Sequence, residues 1–301
     1  MIQINRLTKT FADVKAVNDL TLTIYPGVNG LVGENGAGKS TLLRLLSDVY
    51  QTEQGEIIID DKPHDCVENK RKMFFLCDNP VTGASANIKG TFELYSSLFD
   101  LDKERFDGII KELRLPEKRR VATFSKGMRR QLFLAIALSF KGEYVLLDEA
   151  FDGLDPLVLD TIRQEIIKDA DQKTYIVSSH NISSLERLCD NFILLSKGRC
   201  KKTGNIGDLG TNFAKYQLFI KDEIKAKDIE ALGYKILSFK KVGSIYNIVF
   251  YNEIDDKNIK EKYDVLLLER IPIDPDEIIA LEMLNARKEV NNHDAISLVK
   301  H

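Results

Sequence analysis

The chain has 301 residues, 44% of them hydrophobic and 30% charged, an ordinary globular composition sufficient for one large α/β domain plus a smaller one. A formal net charge of −3 argues against broad electrostatic capture of nucleic acid, and no nucleic-acid partner is expected. Cys66, Cys77, Cys189 and Cys200 stand far apart without a C-x-x-C pair, as reduced thiols of a cytosolic protein do, and not as a disulfide framework or zinc site.

The N-terminus, from Met1 to Arg6, carries no apolar run of signal-peptide length. Ile2 to Ile4 and Leu20 to Ile24 alternate as strands do, and Pro26-Gly27 marks a turn. Val28 to Val32 reads as a short buried strand, and Thr41 to Leu46 has helical apolar spacing. Gly55 to Asp61 reads as a strand ending in a turn, and Met73 to Leu76 as a short buried strand. From Ile88 to Phe140 the spacing turns helical, with breaks near Asp100, Pro116 and Phe124-Ser125. Leu132 to Leu138, among the longest apolar runs, is well short of the ~20 residues that span a bilayer. Any membrane role is therefore expected through a partner.

Tyr144 to Leu147 and Thr174 to Ser178 read as buried parallel strands, with a helix from Leu157 to Ala170 between them. Phe192 to Leu195, followed by Lys197-Gly198-Arg199, reads as a strand and tight turn. Strands alternating with helices imply a mostly parallel α/β core with a helical insertion. The character changes between Asp208 and Thr211. Beyond it, Tyr216 to Lys221, Ser244 to Tyr251 and Val265 to Leu268 are expected as strands, and Asp228 to Leu232 and Pro275 to Arg287 as helices. That pattern suggests a separate small α+β domain, without a catalytic motif. Lys240-Lys241 and Asp255-Asp256-Lys257 read as solvated surface.

The run from Gly33 to Thr41 carries the strongest chemistry. It reads G-x-x-x-x-G-K-S between the strand ending at Val32 and the helix starting near Thr41, which is the context of a phosphate-binding loop. Glycines let backbone N–H groups converge on phosphate oxygens, and the helix N-terminus adds its positive dipole end. Gly33, Asn35, Gly36, Gly38 and Thr41 are the expected contacts. Lys39 can reach the β- and γ-phosphates, and the Ser40 hydroxyl can ligate Mg²⁺. Asp148-Glu149 ends a buried strand; Asp148 suits the metal and Glu149 the attacking water as general base. His180, after Ser178-Ser179, stands where a histidine can contact a γ-phosphate.

The order of these parts is diagnostic. The loop is followed by Thr123-Phe124-Ser125-Lys126-Gly127-Met128, then Asp148-Glu149, then Gly153-Leu154-Asp155-Pro156, then Ser178-Ser179-His180. Over roughly residues 1–210 this resembles the ATP-binding cassette (ABC) ATPases. The resemblance implies a P-loop NTPase cassette with a mostly parallel core sheet, N-terminal antiparallel strands and a helical subdomain over about 79–140. A small accessory domain follows over 211–301. It further implies that Phe11 stacks on adenine, that Ser125 and Gly127 belong to the signature motif, that Asp155 is in the D-loop and that His180 is the switch histidine. ATP and Mg²⁺ are the implied cofactors.

Two departures stand out. The usual L-S-G-G-Q signature reads here Phe124-Ser125-Lys126-Gly127-Met128, and the Q-loop glutamine after Met73 to Leu76 is replaced by Asp78. Asp78 is a shorter Mg²⁺ ligand or, equally, a cap of the turn before Pro80. The family pairs two cassettes head to tail, each ATP lying between one Lys39 loop and the other subunit's Ser125 segment. The implied partners are thus a second nucleotide-binding subunit, identical or paralogous, and a separate membrane subunit, with the chain peripheral on the inner face of the cell membrane. The short helical segment, the signature and the appended domain look most like bacterial exporters of peptides, bacteriocins or antibiotics, exporters of phenol-soluble modulins among them. The alternatives are an importer ATPase and a soluble ribosome- or DNA-associated ABC protein. The second usually joins two cassettes by a charged linker or interrupts one with a long coiled coil, and neither feature is in the sequence.

Overall fold

The computed structural model describes residues 1–83, 85–180, 183–274 and 277–282. They fall into two compact units that divide after Ile206. In the first, β1 (Ile2–Phe11) and β2 (Val14–Ile24) form a hairpin, and β3 (Gly27–Val32) leads through the glycine loop into α1 (Lys39–Leu46). β4 (Gln54–Ile59) and β5 (Lys62–Pro63) follow, then α2 (Val67–Arg71) and β6 (Met73–Leu76). The helices α3 (Ile88–Ser96), α4 (Lys103–Glu112) and α5 (Lys126–Leu138) come next. β7 (Tyr144–Asp148), α6 (Pro156–Ile167), β8 (Thr174–Ser179), α7 (Ser183–Glu186), β9 (Asn191–Ser196) and β10 (Arg199–Asn205) complete the unit.

Two sheets result. One is antiparallel in the order β2-β1-β4-β5; the other has six strands in the order β10-β9-β3-β8-β7-β6. From β9 to β6 every neighbouring pair is parallel, and β10 adds an antiparallel edge. β7 and β8 are buried at every position, as strands covered on both faces are. The hairpin is longer than its alternation suggested, reaching Phe11 and starting again at Val14.

Leu42, Leu43, Leu45 and Leu46 of α1 share one apolar cluster with Ile2, Ile4 and Ile59 of the antiparallel sheet and Leu31, Leu146 and Ile176 of the six-stranded one. Each buried leucine contributes about 1.5–3 kcal/mol. The helix behind the glycine loop is thus clamped between two sheets, which fixes its N-terminus at the strand ends.

The helical stretch breaks where Asp100, Pro116 and Phe124 interrupt the pattern. Phe74 of β6 packs 4.7 Å from Phe99 and 5.6 Å from Phe140, and Tyr95 of α3 lies 5.7 Å from Phe133 of α5. Arg105 of α4 pairs with Asp169 and donates to the Glu165 carbonyl. These aromatic and charged contacts tie the insertion to the core.

The second unit contains β11 (Phe213–Ile220), α8 (Ala226–Glu230), β12 (Ile236–Val242), β13 (Ile245–Tyr251), α9 (Lys257–Lys262) and β14 (Val265–Ile271). Its sheet is antiparallel in the order β12-β13-β11-β14. Ile229 of α8 and Ile259 of α9 join Leu218, Ile248 and Phe250 in one core, and Phe213, Val249 and Leu281 form another. The edge strand β12 was not evident in the sequence, because Lys240 and Lys241 point to solvent there; lysines on an edge discourage a further strand from adding. Asp256, read as solvated surface, stands at the N-cap of α9. Residues 277–282 are helical; the rest of the helix expected from Pro275 to Arg287 lies outside the described residues.

Candidate nucleotide site

Gly38 stands at the N-cap of α1 with φ 105°. A Cβ there would meet the Ala16 carbonyl oxygen at 2.3 Å, and one on Gly33 would meet that of Leu195 at 2.4 Å. Only glycine fits at either place. Glu34, Asn35 and Gly36 form the exposed tip of the loop. Lys39 is buried, and its ammonium folds back to donate to the carbonyls of Gly33 (2.7 Å) and Glu34 (3.3 Å). The first turn of α1 holds no acidic residue, so its free N–H groups and positive dipole end suit an anion.

Parallel pairing brings the other groups to the same edge. β3 and β8 match Val32 with Ser179, and β7 and β8 match Asp148 with Ser178. In such sheets ligands bind beyond the carboxyl ends of the strands. The Ser40 hydroxyl donates to Asp148 Oδ1 at 2.9 Å, and the Ser178 hydroxyl donates to the same oxygen at 2.7 Å. The Glu149 N–H donates to Ser178 Oγ at 2.9 Å. Asp148 is 1% exposed, and these two hydroxyls are its side-chain partners among the described residues. A buried carboxylate without a cationic partner is costly. With Ser40 it offers hard oxygen donors of the kind Mg²⁺ takes.

Glu149 has the left-handed backbone φ of 50°. Its carboxylate lies 3.4 Å from Lys39 Nζ and 2.9 Å from His180 Nδ1. His180 Nδ1 is also 3.1 Å from Asp152 Oδ2, and Ser179 Oγ reaches Asp152 Oδ1 at 3.3 Å. Burial alone would raise the Glu149 carboxyl. Hydrogen bonds with Asp152 and His180 and the Lys39 charge outweigh it and bring the group down to about 2. Asp152 takes the opposite course, pushed up to about 6 by burial and by the ionised Glu149 beside it. The hydrogen bond to Glu149 raises His180 above the ordinary histidine value. The Lys39 and His180 contacts keep Glu149 ionised and weaken it as a base; once those two groups turn to a phosphate, the carboxylate at the strand end can accept a proton from water.

Lys39, Ser40, Asp148, Glu149 and His180 thus meet in one cluster. Among the described residues, Phe11, Ser125, Gly127 and Asp155 make their contacts elsewhere. Phe11 ends β1 with 42% exposure, edge-on to Tyr50 at 5.3 Å. Ser125 caps α5, accepting from the Met128 N–H at 3.2 Å, with Gly127 in the first turn. Asp155 caps α6, accepting from the Leu157 N–H at 2.9 Å. Thr41 lies in the first turn of α1, half-buried. Asp78 and Asp148 both line a cleft of about 460 Å³. The Asp78 carboxylate pairs with Arg130 at 2.7 Å and accepts from Asn79 at 3.0 Å.

Sequence reasoning missed Ser178, Asp152 and Arg130. Ser178 and Asp152 lie within three residues of His180 and Glu149, and Arg130 lies three residues after Gly127 of the signature motif, which was the available signal.

A glycine loop clamped behind β3, with acid, hydroxyl and histidine groups at the ends of β7 and β8, defines a P-loop nucleoside triphosphatase of the ABC cassette fold. Residues 17–152 match the family described as ABC transporter. The ABC transporter ATP-binding protein NatA of Bacillus subtilis is 33% identical over 226 residues, 69% of this chain and 91% of NatA. YcbN, an uncharacterized ABC transporter ATP-binding protein of the same organism, is 26% identical over 289 residues, 88% of this chain and 94% of YcbN. A solved ATP-binding cassette, dimeric in a post-hydrolysis state with ADP and Pi bound, shares the fold with TM-score 0.59 and 22% identity over 68% of this chain and 99% of that one. The chain belongs to the ABC transporter ATP-binding proteins, and it is an ATPase.

Proposed function

We propose that this subunit hydrolyses ATP with Mg²⁺ to drive export of peptides, toxins or antibiotics through a separate membrane partner. The observation that carries the hydrolytic part is the ionised Glu149 carboxylate, 3.4 Å from Lys39 Nζ and 2.9 Å from His180 Nδ1. The backbone from Gly33 through Asn35, Gly36 and Gly38 to Thr41 cradles the phosphates, and Lys39 turns from the loop carbonyls to the phosphate oxygens. Ser40 and Asp148 hold Mg²⁺, which supplies charge neutralisation at the phosphates, with Asp78 at the rim of their cleft. Glu149 takes the proton of the attacking water, His180 contacts the γ-phosphate, and Phe11 stacks on adenine.

Ser125, Gly127 and Asp155 stand apart from this cluster, which supports completion of the site by a second nucleotide-binding subunit; the solved cassette of the same fold is itself dimeric. No helix among the described residues is long and apolar enough to cross a membrane, consistent with a place on the inner face of the membrane beside a spanning subunit. Residues 1–210 form the cassette in this reading, with the helical subdomain over 79–140, and residues 211–301 an accessory domain. Export, and amphipathic peptides such as phenol-soluble modulins as cargo, rest on the Ser125-Lys126-Gly127-Met128 signature and the appended domain.

Inside-out vesicles carrying the chain and its membrane subunit test this. Labelled amphipathic peptide should accumulate on addition of ATP and Mg²⁺, and not with Glu149→Gln. Uptake by right-side-out vesicles instead turns the reading to import; no ATP-driven movement in either overturns transport.

A further inference from the structure

Arg130 lies on α5, and its side chain is only 11% exposed. One guanidinium nitrogen donates to Asp78 Oδ1 at 2.7 Å, and the other donates to the main-chain carbonyl of Asp152. Asp78 follows β6 by two residues. Asp152 closes the turn that begins at Glu149, its N–H directed at the Glu149 carbonyl at 3.4 Å. The same residue turns its carboxylate to His180 at 3.1 Å. One side chain therefore ties the segment after β6 to the turn that presents Glu149. That turn starts from a left-handed glutamate, φ 50°, a conformation that persists only where its surroundings over-determine it. The Ser178 hydroxyl holds its near end, and Arg130 holds its far end.

We propose that Arg130 is a positioning residue for hydrolysis and that Asp78 acts through it. The pair fixes the turn from Glu149 to Asp152 and with it the direction of the Glu149 carboxylate. This rests on the reading of Glu149 as the base. Both Asp78 oxygens accept from protein donors, Arg130 on one and Asn79 on the other, so the protein itself orients this carboxylate. A planar guanidinium serves two acceptors in different directions; a lysine ammonium at the end of a flexible stem does not hold that fork.

Steady-state ATPase rates and ATP affinities of Arg130→Ala, Arg130→Lys, Asp78→Asn, Asp78→Ala and the double alanine variant test this, with Glu149→Gln in parallel. Each single variant should lower kcat about 10-fold, a misplacement effect, while ATP affinity stays within about twofold. The double variant should be no slower than either single one, because the two side chains act as one unit. Should the alanine variants fail to fold, Arg130→Lys and Asp78→Asn decide through the same split between kcat and affinity. Unchanged kcat in the Arg130 variants beside an inactive Glu149→Gln overturns the proposal alone, as do losses that multiply in the double variant. Normal turnover by Glu149→Gln overturns the reading beneath it as well.

Discussion

The two units use burial differently. At the strand ends of the first, Lys39, Asp148, Ser178 and Ser179 are all buried, each a polar group that costs stability unless it is paired. Among the described residues beyond Gly207, the buried side chains are apolar except for Glu282. Apart from Glu282 and the half-buried Lys215–Glu277 pair, the ion pairs among the described residues of the second unit are exposed, as in Lys221–Asp264, Lys241–Glu223 and Arg270–Glu253. Both units are built from strands with apolar cores. Buried polar groups that a fold does not require mark chemistry, and an ordinary packed sheet with surface ion pairs marks a scaffold.

Substitutions can break that contrast. The largest effect is expected at Glu149. Glu149→Gln should keep ATP binding and cut turnover by about 10²- to 10⁴-fold, roughly 3–5 kcal/mol of barrier, in a steady-state ATPase assay. Phe250, fully buried in the second core against Tyr216 and Tyr234, should behave oppositely. Phe250→Ala is expected to cost about 3–5 kcal/mol in denaturant unfolding of that unit and to leave ATP affinity unchanged.

A smaller, pH-dependent effect is expected at Asp169. Burial would raise its carboxyl, but hydrogen bonds from Arg105, Lys173 and Tyr175 outweigh it and hold the group below its ordinary value of 3.8. A depressed carboxyl stabilises the fold fully above its unfolded value and loses that contribution as pH falls through the folded one. Asp169→Asn should therefore lower the urea midpoint at neutral pH by an amount equivalent to about 1–3 kcal/mol, and the gap to the unaltered chain should narrow toward pH 3. The smallest effect is at the exposed pairs of the second unit: Lys221→Ala or Lys241→Ala should leave the melting temperature unchanged, because solvent screens such pairs.

Local signals in the chain were strong where geometry is local. Gly33 to Thr41 announced itself because glycine spacing, the preceding apolar run and the following helix lie within about twenty residues of one another. Asp148-Glu149 and His180 were visible because each follows a short buried strand. The bonds that organise the site were not visible. Arg130 and Asp78 are 52 residues apart, and Ser40 and Asp148 are 108 apart; only the order of parallel strands brings such groups together. Strand β12 escaped for a different reason. Ser238 and the Lys240-Lys241 pair break the apolar run from Ile236 to Val242, whereas β14, the other edge, keeps the unbroken run Val265 to Leu268 by which it was recognised.

Hydrogen exchange of the Glu149→Gln chain with and without saturating ATP and Mg²⁺ tests most directly whether the buried polar cluster of the first unit is where nucleotide binds. The expected result is new protection at residues 33–46 and around 148–152, absent when Lys39→Ala is added, with the strands of the second unit unchanged. Protection confined to the second unit, or none at the glycine loop, would contradict it.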